Sequence, residues 1–102
     1  HPPVVKLGHP ADLKVMPGER TSLSAEKTTD PDRHKLGYKW WRYEDADAYL
    51  GSVQIKNADK QNASLTIPAD AKPGQTIHII CEVTDAGTPP LTRYQRVICN
   101  IR

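Results

Sequence analysis

Turn-forming residues divide this chain at short, fairly even intervals, and that spacing constrains the fold more than any other feature. Pro10, Pro17 with Gly18, Asp30 to Asp32 around Pro31, Asn57 with Asp59, the stretch 68–74 and the stretch 85–90 each break what precedes them. Between the breaks, apolar and polar residues alternate. Leu13 and Val15 alternate in DLKV, Leu23 and Ala25 in TSLSA, Leu36, Tyr38 and Trp40 in LGYKW, and Val53 and Ile55 in VQI. Leu65 and Ile67 follow in SLTI, then Ile77, Ile79, Cys81 and Val83 in IHIICEV, and Val97, Cys99 and Ile101 in VICNI. A period of two is the signature of a strand with one buried face. Seven such segments predict an all-β, antiparallel sandwich of about seven strands. Residues 44–51, EDADAYLG, place acidic residues first and Gly51 last, which allows a single helical turn there. PADAKPG, residues 68–74, is too short for more.

At 102 residues, with nine prolines, six glycines, no Phe and one Met, the chain is expected to be a single domain over residues 1–102. It begins with His1 rather than Met, so it reads as a piece of something longer. The net charge is +2 and the basic residues are scattered, without the stripe that tracks phosphates, so no nucleic-acid partner is expected. No apolar run approaches the ~20 residues of a membrane span. Catalysis is not expected. His9, His34 and His78 are dispersed, and no Ser or Cys sits in a nucleophile motif. Glu44, Asp45 and Asp47 are neighbours on one segment, whereas glycoside hydrolysis needs two carboxylates facing each other roughly 5–10 Å apart.

The best-defined unit is the final strand–loop–strand segment, TIHIICEVTDAGTPPLTRYQRVICNI. Asp85 and Gly87 suit a turn, and Pro89 with Pro90 keeps the loop out of the ladder. The inward set is Ile77, Ile79, Cys81 and Val83 on the first strand, and Val97, Cys99 and Ile101 on the second. Folding about the prolines puts Cys81 nearly opposite Arg96 and Cys99 nearly opposite His78. That offset is too long for a disulfide, whose Cα atoms lie within roughly 7 Å. The two cysteines read as small buried apolar residues, with a bridge left open to a register slip or a bulge.

The stretch TTDPDRHKLGYKWWRYEDADAYLGSVQIKNAD, followed by ASLTIPADAKPGQTIHIICEVTDAGTPPLTRYQRVI, resembles the C-terminal domain of a family of bacterial cellulose-binding proteins. The most specific pieces are DPD followed by Leu36, Tyr38, Trp40 and Trp41, then PADA and PG, then VTDAGTPPLTRYQR. The resemblance covers about three-quarters of the chain and is loose over its first thirty residues. Arg33 and His34 stand where that family has a different pair, and the cysteines where it has aliphatic residues. The resemblance implies an Ig-like sandwich, similar also to cadherin and PKD modules. It further implies a secreted or periplasmic location, a nucleoside-hydrolase-like N-terminal part in the same protein, and a plant-type polysaccharide as partner.

Five of the six aromatic residues lie between Tyr38 and Tyr49. Trp40 shares parity with Leu36 and Tyr38, so it is expected inside, where a sandwich of this type holds a Trp on its third strand. Trp41 is then outside with Lys39 and Tyr43. In an Ig-like sandwich the third, sixth and seventh strands share a sheet, whose outer face would add His78, Ile80, Glu82, Tyr94, Arg96 and Ile98. A sugar ring offers an apolar face of C–H bonds and a rim of hydroxyls. Aromatic rings stack on the first, and Arg, Glu, Lys or His bonds the second. The candidate carbohydrate-binding residues are therefore Trp41, Tyr43, Tyr94, Arg96, His78 and Glu82, with Tyr49 from the following loop. The same patch also fits docking against a neighbouring domain, since Trp41, Ile80, Ile98 and Tyr94 exceed what a solvated face requires. No cofactor is expected, with one alternative: Asp30, Asp32 and Asp85 at one end of the sandwich as a calcium site in a cadherin-like spacer, weighed against ordinary turn chemistry.

Overall fold

The computed structural model describes residues 3–29 and 35–102. Among the described residues seven strands form: β1 (Asp12–Val15), β2 (Arg20–Ser24), β3 (Leu36–Arg42), β4 (Ile55–Lys56), β5 (Asn62–Thr66), β6 (Thr76–Asp85) and β7 (Thr92–Ile101). A short 3-10 turn, Glu44–Ala46, follows β3, where the acidic run allowed one helical turn. Two sheets result, of order β1-β7-β6-β3 and β2-β5-β4. The third, sixth and seventh strands do share a sheet.

Both Pro-Gly pairs make the same kind of turn. Pro17 and Gly18 occupy the middle of a turn closed by Glu19 N–H donating to Met16 O, and Pro73 and Gly74 occupy one closed by Gln75 N–H donating to Lys72 O. Gly18 and Gly74 take φ of +82° and +91°. Proline presets the first central residue of a type II turn and glycine supplies the positive φ of the second.

The core is the inward set of both sheets. Leu23, Leu65 and Ile67 face Trp40, Ile77, Ile79, Cys81, Val83, Val97, Cys99 and Ile101, all essentially solvent-free. Trp40 is fixed at both polar ends: its main-chain N–H donates to Ala58 O at 2.7 Å and its indole Nε1 to Lys60 O at 2.8 Å. The loop after β4 therefore caps the open edge of β3.

β6 and β7 pair in a register one residue away from the expected one. Cys81 faces Gln95 and Cys99 faces Ile77. The seven-residue hairpin loop between Thr84 and Thr92 sets this offset. Asp85, itself buried, closes it: its Oδ1 accepts the N–H groups of Gly87 and Leu91, and the Thr84 and Thr92 hydroxyls bond at 2.9 Å. Both cysteines are free and buried. Among the described strands only β1 departs from the expected antiparallel pairing: it runs parallel to β7, pairing Asp12 to Val15 with Ile98 to Ile101.

Candidate functional site

The register of β3, β6 and β7 lays the outward side chains out as a grid. Lys39, Glu82 and Tyr94 form one row, and Trp41, Ile80 and Arg96 the next. Beyond the last strand pair, Tyr43 N–H donates to His78 O at 2.9 Å, and His78 faces Ile98. Six of the seven candidate residues therefore lie on one surface, as their alternation required.

Trp41 and Tyr43 are its centre. Their ring centroids are 6.1 Å apart and their planes are inclined by 30°. Arg96 reaches from β7 across the sheet, placing its guanidinium carbon 5.5 Å from the centre of the Tyr43 ring. A guanidinium over an aromatic face is held by the ring quadrupole while keeping its edge donors available. Tyr94 is 62% exposed and Tyr43 37%. With strands ~4.8 Å apart and ~3.4 Å per residue along each, Tyr94 stands about 12 Å diagonally from Trp41. The aromatic residues thus run obliquely over the sheet, with Lys39 and Glu82 to one side and Arg96 and His78 to the other.

Two expectations about this face need correction. Ile80 is not part of an exposed apolar patch, because it is only 6% exposed between Trp41 on one strand and Arg96 on the other. Tyr49 is not on the face at all. It is buried in the core, its hydroxyl donates to Asp70 Oδ1 at 2.7 Å, and Arg42 lies 5.7 Å over its ring. That carboxylate acceptor and burial raise its phenol above the ordinary value of 10.0.

A buried ion pair that the alternation did not disclose anchors the loop after β3. Arg42 continues the inward parity of Trp40 but lies at the end of the sandwich. Its Nε pairs with Asp47 Oδ2, while its other nitrogens donate to Gly51 O at 2.5 Å and Tyr49 O at 2.7 Å. Asp47 Oδ1 accepts the main-chain N–H of His78 at 2.5 Å. One carboxylate thus joins the loop to β6 at His78, whose carbonyl accepts the Tyr43 N–H. The signal was available in the sequence: an Arg at a core position needs a buried anion, and Asp47 follows within the next turn. Asp47 is thereby committed to structure. The His78 ring is half-buried, and its Nδ1 is buried without a hydrogen-bond partner among the described residues.

Of the calcium alternative, Asp30 and Asp32 lie outside the described residues, and the Oδ1 of Asp85 accepts loop N–H groups. Among the described residues there is no group of three or more His, Cys, Asp and Glu side chains suited to a metal.

A two-sheet sandwich with this strand order belongs to the Ig-like class, and the PKD domain of the KIAA 1837 protein shares its fold. The two superpose with a TM-score of 0.62 at 20% identity, over 97% of this chain and 89% of that one. The chain belongs to the family of the C-terminal domain of the cellulose-binding protein Sde0182, whose family model matches residues 20–101. It is also similar to a nucleoside hydrolase-related protein from Saccharophagus degradans that is associated with carbohydrate metabolism. The likeness has a TM-score of 0.94 at 36% identity over all of this chain, which spans 26% of that protein. No curated protein sequence matches it. The resemblance read from the tryptophan and hairpin motifs is therefore the family the chain belongs to.

Proposed function

We propose that this chain is a non-catalytic carbohydrate-binding module that holds a cellulose-like glycan on the outer face of its four-stranded sheet. The observation that carries this reading is the Trp41–Tyr43 pair with Arg96 laid over it. It combines an apolar platform with charged donors at its rim, the two things a pyranose ring requires. Trp41 and Tyr43 stack on the sugar, Tyr94 extends the platform, and Arg96 and Glu82 bond hydroxyls. His78 contributes from below Tyr43. The description of the family as cellulose-binding supports the same ligand class.

The domain over residues 1–102 is, on this reading, the C-terminal part of a secreted or periplasmic bacterial protein. Its N-terminal part is nucleoside-hydrolase-like. The similar protein from S. degradans, of which this chain spans 26%, supports that arrangement. The test is depletion of the chain from solution by insoluble cellulose, alongside affinity electrophoresis in soluble glucans and xylans. Depletion by cellulose or retardation by a β-glucan is expected. No interaction with any of these polymers would sink the reading.

A second reading has its own support. Pro3, Val4 and Val5 line a shallow cavity with Arg93, Tyr94 and Gln95, and Val4, Leu91 and Tyr94 are all exposed. The chain's first described residues thus lie beside Tyr94, which supports docking of a preceding domain at that end of the face. Docking there would use Tyr94 and leave Trp41 free. Tyr94→Ala would then lower the melting temperature of the longer protein without changing glucan binding by the 102-residue chain.

A further inference from the structure

We infer that the face takes a single, hydrated β-glucan chain rather than the flat surface of crystalline cellulose. This rests on the binding reading above and specifies the physical form of its ligand.

Three features of the face argue for it. A crystal surface is planar and presents its rings side by side at one height, so it seats only on aromatic rings that are coplanar. Trp41 and Tyr43 are inclined by 30° at a separation of 6.1 Å. A plane resting on one ring meets the other by its edge. A free glucan chain can rotate about each glycosidic bond, so successive sugars can follow the tilt. Arg42 and Asp47 hold the segment just after Trp41 in place.

Arg96 is the second feature. Its guanidinium sits over the Tyr43 ring at 5.5 Å from the centroid. A guanidinium this close to the ring competes with an extended plane for contact with it. A single chain lets the guanidinium swing aside and donate to the hydroxyls of the sugar that takes its place. The third feature is the polar border. Lys39 and Glu82 flank the rings on one side, and Arg96 and His78 on the other. Most hydroxyls along the edges of a chain in a crystal are already bonded to neighbouring chains. Those of a hydrated chain are open to such partners, and each charged contact then contributes to binding.

The experiment compares adsorption of the 102-residue chain on acid-swollen amorphous cellulose and on microcrystalline cellulose of equal accessible area, with cellohexaose as soluble competitor. Binding to amorphous cellulose is expected to exceed binding to the crystalline form by about tenfold, and excess cellohexaose should release the protein. Arg96→Ala should weaken binding to the amorphous form by about tenfold, since a hydrogen bond from a charged donor is lost. Equal or stronger adsorption on microcrystalline cellulose, not released by cellohexaose, would overturn the single-chain inference and leave the glucan reading standing. Unchanged amorphous affinity of Arg96→Ala, with crystalline adsorption no greater than the parent's, would overturn it as well. Absence of binding to both celluloses and to cellohexaose would overturn this inference together with the reading beneath it.

Discussion

Trp40 and Trp41 are neighbours in the chain and opposites in the fold. Trp40 is enclosed and hydrogen-bonded at its indole, so Trp40→Ala removes a large packed side chain and should cost about 3–5 kcal/mol of stability in chemical denaturation. Trp41 rests on the sheet surface, and Trp41→Ala should leave the melting temperature within a few degrees of the parent. This division was legible in the sequence because Leu36 and Tyr38 fix the parity of the strand. The burial of Tyr49 was not legible. It sits in a loop with no alternation to place it, and its position depends on Asp70, distant in sequence. The cysteines carry a second residue-level prediction. Burial pushes the Cys81 thiol up to about 12 from 9.0. Burial, with the Asp47 and Glu19 charges, pushes Cys99 up to about 11. The unfolded chain releases these protons near the ordinary value while the folded chain keeps them. Stability should therefore be intact below pH 9 and fall as pH rises toward 11 and 12. Denaturation midpoints across that range check the sign. At pH 8 both thiols should resist alkylation until the protein is unfolded.

Among the elements, the loop after β3 depends most on particular side chains. Asp47 is the buried partner of Arg42 and also holds the N–H of His78. Asp47→Ala leaves a buried guanidinium unpaired and should cost about 3–5 kcal/mol in denaturant melts. Glucan affinity should fall in parallel, because the same loop begins at Tyr43. Gly51 is required for a different reason. A Cβ there would lie 2.1 Å from the Tyr49 hydroxyl oxygen, so Gly51→Ala should displace the Tyr49 ring and lower the melting temperature, with Tyr49 fluorescence and hydrogen exchange of the loop reporting the change. All seven strands were legible from alternation, though β4 is only Ile55–Lys56. The hairpin register was missed by one residue. Its loop is closed by the Asp85 carboxylate, and a tertiary bond of this kind leaves no trace in a period-two pattern. The ion pair of Arg42 and Asp47 was missed because an alternating pattern registers core positions without asking what a charge at one of them must meet.

At the scale of the molecule, the two sheets divide the work. The β2-β5-β4 sheet encloses the core from one side. The four-stranded sheet encloses it from the other and presents the aromatic face outward. The antiparallel strands β3, β6 and β7 can do this because one face of such a sheet is free of packing duties. The candidate site was legible in the sequence to the extent that parity and strand order decide which side chains share a surface, and they gathered six of the seven residues. Its finer form was not: Ile80 is covered by the side chains beside it, and Arg96 crosses the sheet to reach Tyr43. Both depend on how long side chains fold over a surface. On this reading Trp41, half-buried but facing outward, is the sugar platform. The most direct test of that role is a pair of depletion isotherms on amorphous cellulose, one for the 102-residue chain and one for Trp41→Ala, with melting temperatures measured on the same samples. Saturable adsorption is expected, reduced by the substitution about tenfold or more while the melting temperature stays within a few degrees, since loss of one ring–sugar stack is worth about 1–3 kcal/mol by analogy with base stacking. Adsorption that survives Trp41→Ala undiminished would contradict it.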